Sequence, residues 1–407
     1  MFWGGEWLQT SPPLFLAVAR LAVAAFGLSV ETLRTVPLLF AVLAGLAFWG
    51  AVRRVSPLLA PVGCVALLFT GTAVEYFTSF KQFGGEAAAV CVVLWATLAY
   101  LDDQSRRRFA ILFAALVGLA PLAYPLTFVA PGVIFAVYVG SWKRAAILAA
   151  GCGVMFAALY AWFIMPNTSP SLWAYWKGAN APVWWLAAVI AGLMWAVWRK
   201  NWALVVCAAP CVLLLAAELT GWYPASPRTR LFVRPCAILA AVVVLRGIRV
   251  PQWAAAIVAL GLAGNAVRSI ELKPVEDYTA AVSYLREHAQ PEDRIILHAD
   301  AREGMRLAFT IARWEPKVEY GSTGWPCCLR SSPPRSTEAD VRADLARLIP
   351  TDYRGRVWIV YGNRTLHWKY LGLDEGFLWR HVPWERGCLP TGYLDFTNVV
   401  ISPADCK

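Results

Sequence analysis

The chain has 407 residues, 59% of them hydrophobic and only 15% charged, with 21 Trp and a formal net charge of +11. A soluble domain of this length cannot cover so much apolar surface with so few charges. The positive charge does not mark a nucleic-acid binder either, because it is unevenly spread. Residues 268–407 hold 19 Lys and Arg against 19 Asp and Glu, whereas residues 1–267 hold 18 basic and 7 acidic residues and so account for the whole +11. Eleven of those 18 sit in five short knots: Arg53-Arg54, Arg106–Arg108, Lys143-Arg144, Arg199-Lys200, and Arg246 with Arg249. Basic knots between apolar blocks are the pattern of cytoplasmic loops in a polytopic membrane protein. The first 19 residues carry no Lys or Arg, so the basic start of a signal peptide is not visible.

In chain order, residues 14–28 (LFLAVARLAVAAFGL) are apolar but too short to span, and Arg20 interrupts them. Behind Pro12-Pro13 they predict a helix lying in or near the outer interface, within an outer-face segment 1–35. Candidate spans follow at about 36–52, 57–74, 84–101, 109–124, 125–140, 145–165, 182–198, 202–220, 231–245 and 251–267, against the ~20 residues a span needs. The pair across 109–140 rests on parity. Arg106–Arg108 and Lys143-Arg144 should share the cytoplasmic face, so an even number of crossings separates them. The expected fold is therefore a polytopic α-helical membrane protein of about ten transmembrane helices over 36–267. That topology leaves the Glu75–Glu86 turn, Tyr124-Pro125, the loops 166–181 and 221–230, and the C-terminal domain on the outer face.

Residues 268–407 read as a small soluble α/β domain. A helix over 276–289 leads to a strand at Arg294–His298, and a helical stretch follows at 302–312. Thr337–Asp340 can cap a helix to about 348. Arg356–Tyr361 is a second strand and Tyr393–Ile401 a third, with 322–336 an irregular loop. Six cysteines (64, 91, 152, 207, 211, 236) lie in apolar helices and read as small packing residues. Cys327, Cys328, Cys388 and Cys406 can form two disulfides in an oxidising compartment, in a connectivity the sequence leaves open.

The chemistry is expected at the outer rim. Glu75, Lys81 and Glu86 cluster where two helices reach that face, and Arg228 and Arg230 lie in WYPASPRTRLF. Basic side chains there are not explained by the positive-inside rule. Either they meet an anionic partner, a lipid phosphate above all, or they reach past the apolar zone to headgroups. The four His lie in the C-terminal domain without a tight metal-ligand pair, so no metal or other cofactor is expected. Gly151-Cys152-Gly153 reads as helix packing. Trp184-Trp185 reads as part of an interfacial belt. Asn167-Thr168-Ser169 and Asn363-Arg364-Thr365 are glycosylation sequons.

Read together, these segments resemble the glycosyltransferase C superfamily, in the branch of bacterial lipopolysaccharide-type sugar transferases, aminoarabinose transferase and protein O-mannosyltransferases. QTSPPLFLAVARLAVAAFG and TLRTVPLLFAVLAGL resemble the segment after that family's first outer loop. In EYFTSFKQFGGEAAAV, the residues Lys81, Gln82, Phe83 and Glu86 fall on the family's outer turn, with Ser79 where an acidic residue is expected. LAYPLTFVAPG places Tyr124 and Pro125, SLWAYWKGANAP resembles a later outer loop, and YPASPRTRLFVRP places Tyr223, Pro224 and Arg228. DYTAAVSYLREHAQPEDRII is similar to the start of one subgroup's soluble tail.

The resemblance implies transfer of a sugar from a polyprenyl-phosphate donor to an envelope lipid, glycan or protein acceptor on the outer face of a bacterial inner membrane. It implies that Lys81 and Arg228 hold the phosphate, that Gln82, Glu86, Tyr124, Tyr223 and Arg230 line the substrate site, and that no nucleic acid is involved. The family places an acidic base in a loop after an additional first helix, and this sequence starts after both. Glu6 is the only acidic residue before Glu31 and takes the catalytic assignment. The departure is expected to reflect either a shortened start or a relative that has lost catalysis. In the second case the chain would be a non-catalytic membrane protein that binds lipid-linked glycans or scaffolds an envelope complex. A transporter reading calls for repeated halves and charges near the bilayer midplane. No repeat is visible, and Glu218 lies near a helix end.

Overall fold

A computed structural model describes residues 11–69, 73–78, 82–165, 183–220, 230–246, 254, 257–258, 260–261, 277–297, 299–320, 343, 346–362, 387–392, 394–396 and 399–407. The chain divides into two compact units, one over Thr10–Glu271 and one that includes Leu272–Lys407.

The first unit is a helical bundle. Its helices are α1 (Pro13–Phe26), α2 (Val30–Val55), α3 (Ala60–Leu68), α4 (Ala73–Thr78), α5 (Phe83–Asp102), α6 (Arg106–Gly118), α7 (Leu126–Gly140), α8 (Trp142–Leu159, continued by a π-helical turn Tyr160–Ile164), α9 (Val183–Trp198), α10 (Trp202–Leu219) and α11 (Arg234–Leu245). Among the described residues, four helical stretches are long and apolar enough to cross a membrane: Val30–Val55, Phe83–Asp102, Trp142–Ile164 and Trp202–Leu219. Shorter apolar helices accompany them, so the expected ten spans are only partly visible, and most of 251–267 lies outside the described residues. The expected pair across 109–140 is present as α6 and α7, broken by a 3₁₀ turn at Ala120–Leu122.

Apolar residues run all the way round these helices, so polar punctuation sets their starts. Ser29 Oγ accepts from Thr32 N at 3.0 Å, Ser105 Oγ from Arg108 N at 3.3 Å, and Asn201 Oδ1 from Leu204 N at 3.1 Å. Helix α5 is the central helix, with 15 of its 20 residues buried. α2 lies along it with Gly50 beneath Trp95, where an added Cβ would meet the indole at 2.8 Å. By contrast Trp162 at the end of α8 is 74% exposed, as a side chain facing lipid would be. Prolines interrupt α2 (Pro37), α7 (Pro131) and α10 (Pro210). Two of them meet. A Cβ on Gly132 of α7 would lie 2.8 Å from Ala209 Cβ and 3.5 Å from the Val206 carbonyl, the acceptor that Pro210 leaves without its helical donor.

The second unit is an α/β layer. Its strands are β1 (Arg294–Leu297), β2 (Val318–Tyr320), β3 (Gly355–Gly362), β4 (Cys388–Pro390), β5 (Leu394–Phe396) and β6 (Val399–Cys406), in the order β2-β1-β3-β6-β4, with β5 also on β6. β1 is parallel to β2 and β3, and β6 runs antiparallel to β3. Strand alternation sorts the side chains. Trp358 and Val360 pack with α12 (Tyr278–His288) and α13 (Ala299–Ala312), while Val357, Ile359 and Tyr361 pack with Leu348 and Ile349.

The helix expected over 276–289 and the strands at 294–298 and 356–361 are present within two residues. The single third strand is corrected to two, because Leu394–Phe396 folds back on Val399–Cys406 and pairs Phe396 with Val399. The short strands β2 and β4 were not expected. Cys388 and Cys406 are joined in a disulfide linking β4 to β6. Cys327 and Cys328 lie outside the described residues, as does most of the helix expected at 337–348.

Candidate functional site

One end of the bundle gathers the polar residues that the sequence singles out. Two glycines make this possible. Gly84 and Gly85 open α5, and a Cβ on Gly84 would meet Phe77 at 3.1 Å, while one on Gly85 would meet Leu122 at 3.3 Å and Phe40 at 3.5 Å. Their small size brings α4 and the Ala120–Leu122 turn against the start of α5. Tyr124, two residues past that turn, thereby becomes an electrostatic neighbour of Glu86.

Glu86 is 5% exposed, and among the described residues its carboxylate has no hydrogen-bond or ion-pair partner. The Tyr124 hydroxyl is also buried without a partner. Two adjacent unsatisfied polar groups in an otherwise apolar interior are expensive, which marks a site built for something other than packing. Beside them Gln82 Oε1 accepts from Ser11 Oγ at 3.3 Å, tying the start of α1 to the start of α5. Phe83 meets Tyr76 edge-on at 5.5 Å between centroids, which packs α4 against the start of α5.

The second half of the cluster comes from α10 and α11. Glu218, in the last turn of α10, has a side chain with no exposed surface. It accepts from Arg230 twice, Nε to Oε1 at 2.9 Å and Nη2 to Oε2 at 2.7 Å. This fork-to-fork geometry orients the guanidinium and leaves its remaining edge open, since the Arg230 side chain is 45% exposed. The 3₁₀ turn Leu231–Val233 that follows packs on α5, and Phe232 stacks on Phe128 of α7 at 5.7 Å. The Glu86–Tyr124 side and the Glu218–Arg230 side therefore belong to the same end of the bundle.

The structure thus places Gln82, Glu86, Tyr124 and Arg230 at the same end of the bundle. Glu6, Lys81, Tyr223 and Arg228 lie outside the described residues. Glu218 was not expected in the site, yet a signal for it exists. It is one of seven acidic residues in the first 267, it lies in an apolar helix, and such a carboxylate needs a cation. Arg230 stands twelve residues later, across one loop.

No protein-family model and no curated protein matches the chain. Solved structures do. The crystal structure of ArnT from Cupriavidus metallidurans in the apo state superposes with a TM-score of 0.58 at 12% identity, over 97% of this chain and 87% of that one. The structure of the same protein bound to undecaprenyl phosphate gives 0.54 at 13% identity, over 98% and 88%. At this identity the likeness is one of fold alone, and the four long apolar helical stretches agree with an integral membrane protein.

Proposed function

We propose that the chain is a membrane glycosyltransferase that moves a sugar from a polyprenyl-phosphate donor to an envelope lipid, glycan or protein acceptor on the extracytoplasmic face. The observation that carries the reading is the end of the bundle where buried Glu86 lies beside the unpartnered Tyr124 hydroxyl and Glu218 holds a guanidinium, in a fold shared with a protein crystallised with undecaprenyl phosphate.

In such a transfer the acceptor oxygen bonds to the anomeric carbon while the bond from that carbon to the phosphate oxygen breaks. The polyprenyl phosphate leaves, and the acceptor proton passes to a carboxylate base. Cations around the leaving phosphate stabilise the charge that develops there. Lys81 and Arg228 fill that role, together with Arg230 on its Glu218 anchor. Glu86, Tyr124, Gln82 and Tyr223 line the sugar and acceptor side, and Glu6 is the base. The C-terminal domain, closed by its disulfide, belongs on the same outer face.

The test is transfer by membranes containing this chain, supplied with radiolabelled polyprenyl-phosphate sugars and extracted envelope lipid or glycan. Arg228→Ala is expected to slow transfer about a hundredfold. Tyr124→Phe removes an unsatisfied hydroxyl, so it should melt no lower than the parent yet transfer at least about tenfold more slowly. Undecaprenyl phosphate binding without any transfer would overturn the enzyme reading in favour of a lipid-glycan binding protein. Neither binding nor transfer would overturn both.

A further inference from the structure

The opposite end of the bundle carries a second polar site, distinct from the one above. A cavity of about 540 Å³ opens there, and basic side chains from three separate parts of the chain line it: Arg54 at the end of α2, Arg199 and Lys200 in the turn from α9 to α10, and Arg246 after α11. Asp102 is its one acidic lining residue, so the wall carries four positive charges and one negative. Gln104 and Asn201 complete the polar lining.

Three observations separate this pocket from a mere scatter of cytoplasmic charges. The positive-inside rule asks for basic residues in loops but not for their convergence on one cavity. Arg106 and Arg107, equally basic and at the same end, are exposed and stand outside it. The wall is also held in place. Arg54 Nη1 pairs with Asp102 Oδ2 at 2.6 Å, Arg144 Nη1 donates to the Gln104 carbonyl, and the Arg199 guanidinium lies over Trp198 at 4.9 Å. Finally, Lys200 adopts a left-handed conformation, φ 54°. Glycine closes a helix at such a position without strain, whereas Lys costs about 1 kcal/mol there. A residue kept at a cost, with its ammonium on a cavity wall, points to a ligand.

We propose that this pocket binds the phosphate of an anionic phospholipid headgroup. Phosphate is the shared chemistry, matched by guanidinium forks and an ammonium. The lipid rather than a soluble anion is favoured because the lining runs into lipid-exposed apolar surface. Val139 on the wall is 48% exposed, and Trp198 beneath Arg199 is 72% exposed. Acyl chains follow those surfaces while the headgroup enters the pocket.

The experiment is native mass spectrometry of the purified full chain with cardiolipin, phosphatidylglycerol or phosphatidylethanolamine, with inorganic phosphate as a competitor. The two anionic lipids are expected to remain bound at activation energies that strip phosphatidylethanolamine. Removing three charges (Arg199→Gln, Lys200→Gln and Arg246→Gln together) should weaken their binding about a hundredfold. Because neutralising these residues can disturb insertion, two further variants carry the test. Ala203→Trp keeps every charge and fills the pocket, and it should abolish retention. Lys200→Gly relieves the left-handed strain, so it should melt no lower than the parent while binding anionic lipid several-fold more weakly. Arg106→Gln with Arg107→Gln should change nothing. Retention unchanged in Ala203→Trp, or lost equally in the Arg106/Arg107 variant, overturns the proposal. Displacement of the lipids by millimolar inorganic phosphate would overturn the lipid assignment in favour of a soluble anion.

Discussion

Glu218 has no exposed side-chain surface, while Arg230 keeps nearly half of its own, so truncating either partner has a different consequence. Arg230→Ala leaves a carboxylate buried without a cation, and that strands the more costly group. The expected loss is about 2 kcal/mol, reduced from the fully buried case because this end of the pair opens to solvent. Glu218→Gln should cost less, since the amide oxygen still accepts one hydrogen bond from a guanidinium that can also reach water. Combining Arg230→Ala with Glu218→Gln should recover most of the loss, and thermal melts of the purified protein read all four states. A double variant that loses the sum of the two single losses would mean the two side chains are not energetically coupled. Only half of this pair was legible beforehand. Arg230 drew notice as a basic residue on the wrong side for the positive-inside rule. Glu218 looked like the tail of an apolar helix, because nothing in a linear sequence says which carboxylate a distant guanidinium will meet.

Where two helices touch, small residues set the approach, and their neighbours decide which of them matter. Gly132 and Gly153 both lie in apolar helices, but a Cβ on Gly132 would be 2.8 Å from Ala209 Cβ, while Gly153 has nothing within 4 Å. Gly132→Val should therefore cost about 1–3 kcal/mol by forcing α7 from α10, and Gly153→Val should be close to neutral, again by melting. The Gly151-Cys152-Gly153 motif thus divides. A Cβ on Gly151 would meet the Phe113 ring at 2.7 Å, Cys152 is buried, and Gly153 is open. In the sheet, Arg356 on β3 sits directly opposite Asp405 on β6, with Nε 2.7 Å from Oδ1. That hydrogen bond holds the Asp405 carboxyl below its ordinary value. A depressed carboxylate contributes stability that is fully present above its unfolded value near ~4 and is lost as pH falls through the folded one. Both partners are substantially exposed, so the contribution is about 0.5 kcal/mol. Asp405→Asn should lower the melting temperature of this unit slightly at pH 7 and remove the parent's further decline below pH ~4; a parallel decline in both would exclude the pair as its source. β2 and β4 escaped the sequence reading because three residues carry no period, and Gly387 just before β4 and Pro390 at its end are residues that normally disqualify a strand.

At the scale of the molecule, the two ends of the bundle differ in kind. At one, buried acidic and phenolic groups and an anchored guanidinium collect. At the other, Arg54, Arg199, Lys200 and Arg246 converge, joined through Gln104 to Arg144. The separation was legible in the spacing of the basic knots, since each falls after or before an apolar block and parity forces them to one side. The breaks were harder to read. Apolar residues on every face of a membrane helix erase the periodicity that marks helix ends in soluble proteins, and only Ser, Asn, Gly and Pro remain as punctuation. That same punctuation leaves a mechanical trace in the contact between Pro131-Gly132 of α7 and Ala209-Pro210 of α10. Each proline removes one rung of its helix, and Gly132, next to the first, lies against the turn that the second opens. Beyond this contact α7 leads back to Tyr124 and α10 leads on to Glu218, so the two polar groups sit on levers that share one fulcrum. Moving those two groups apart would take a tilt of short rigid segments rather than the unwinding of a helix, with no intact backbone rung broken.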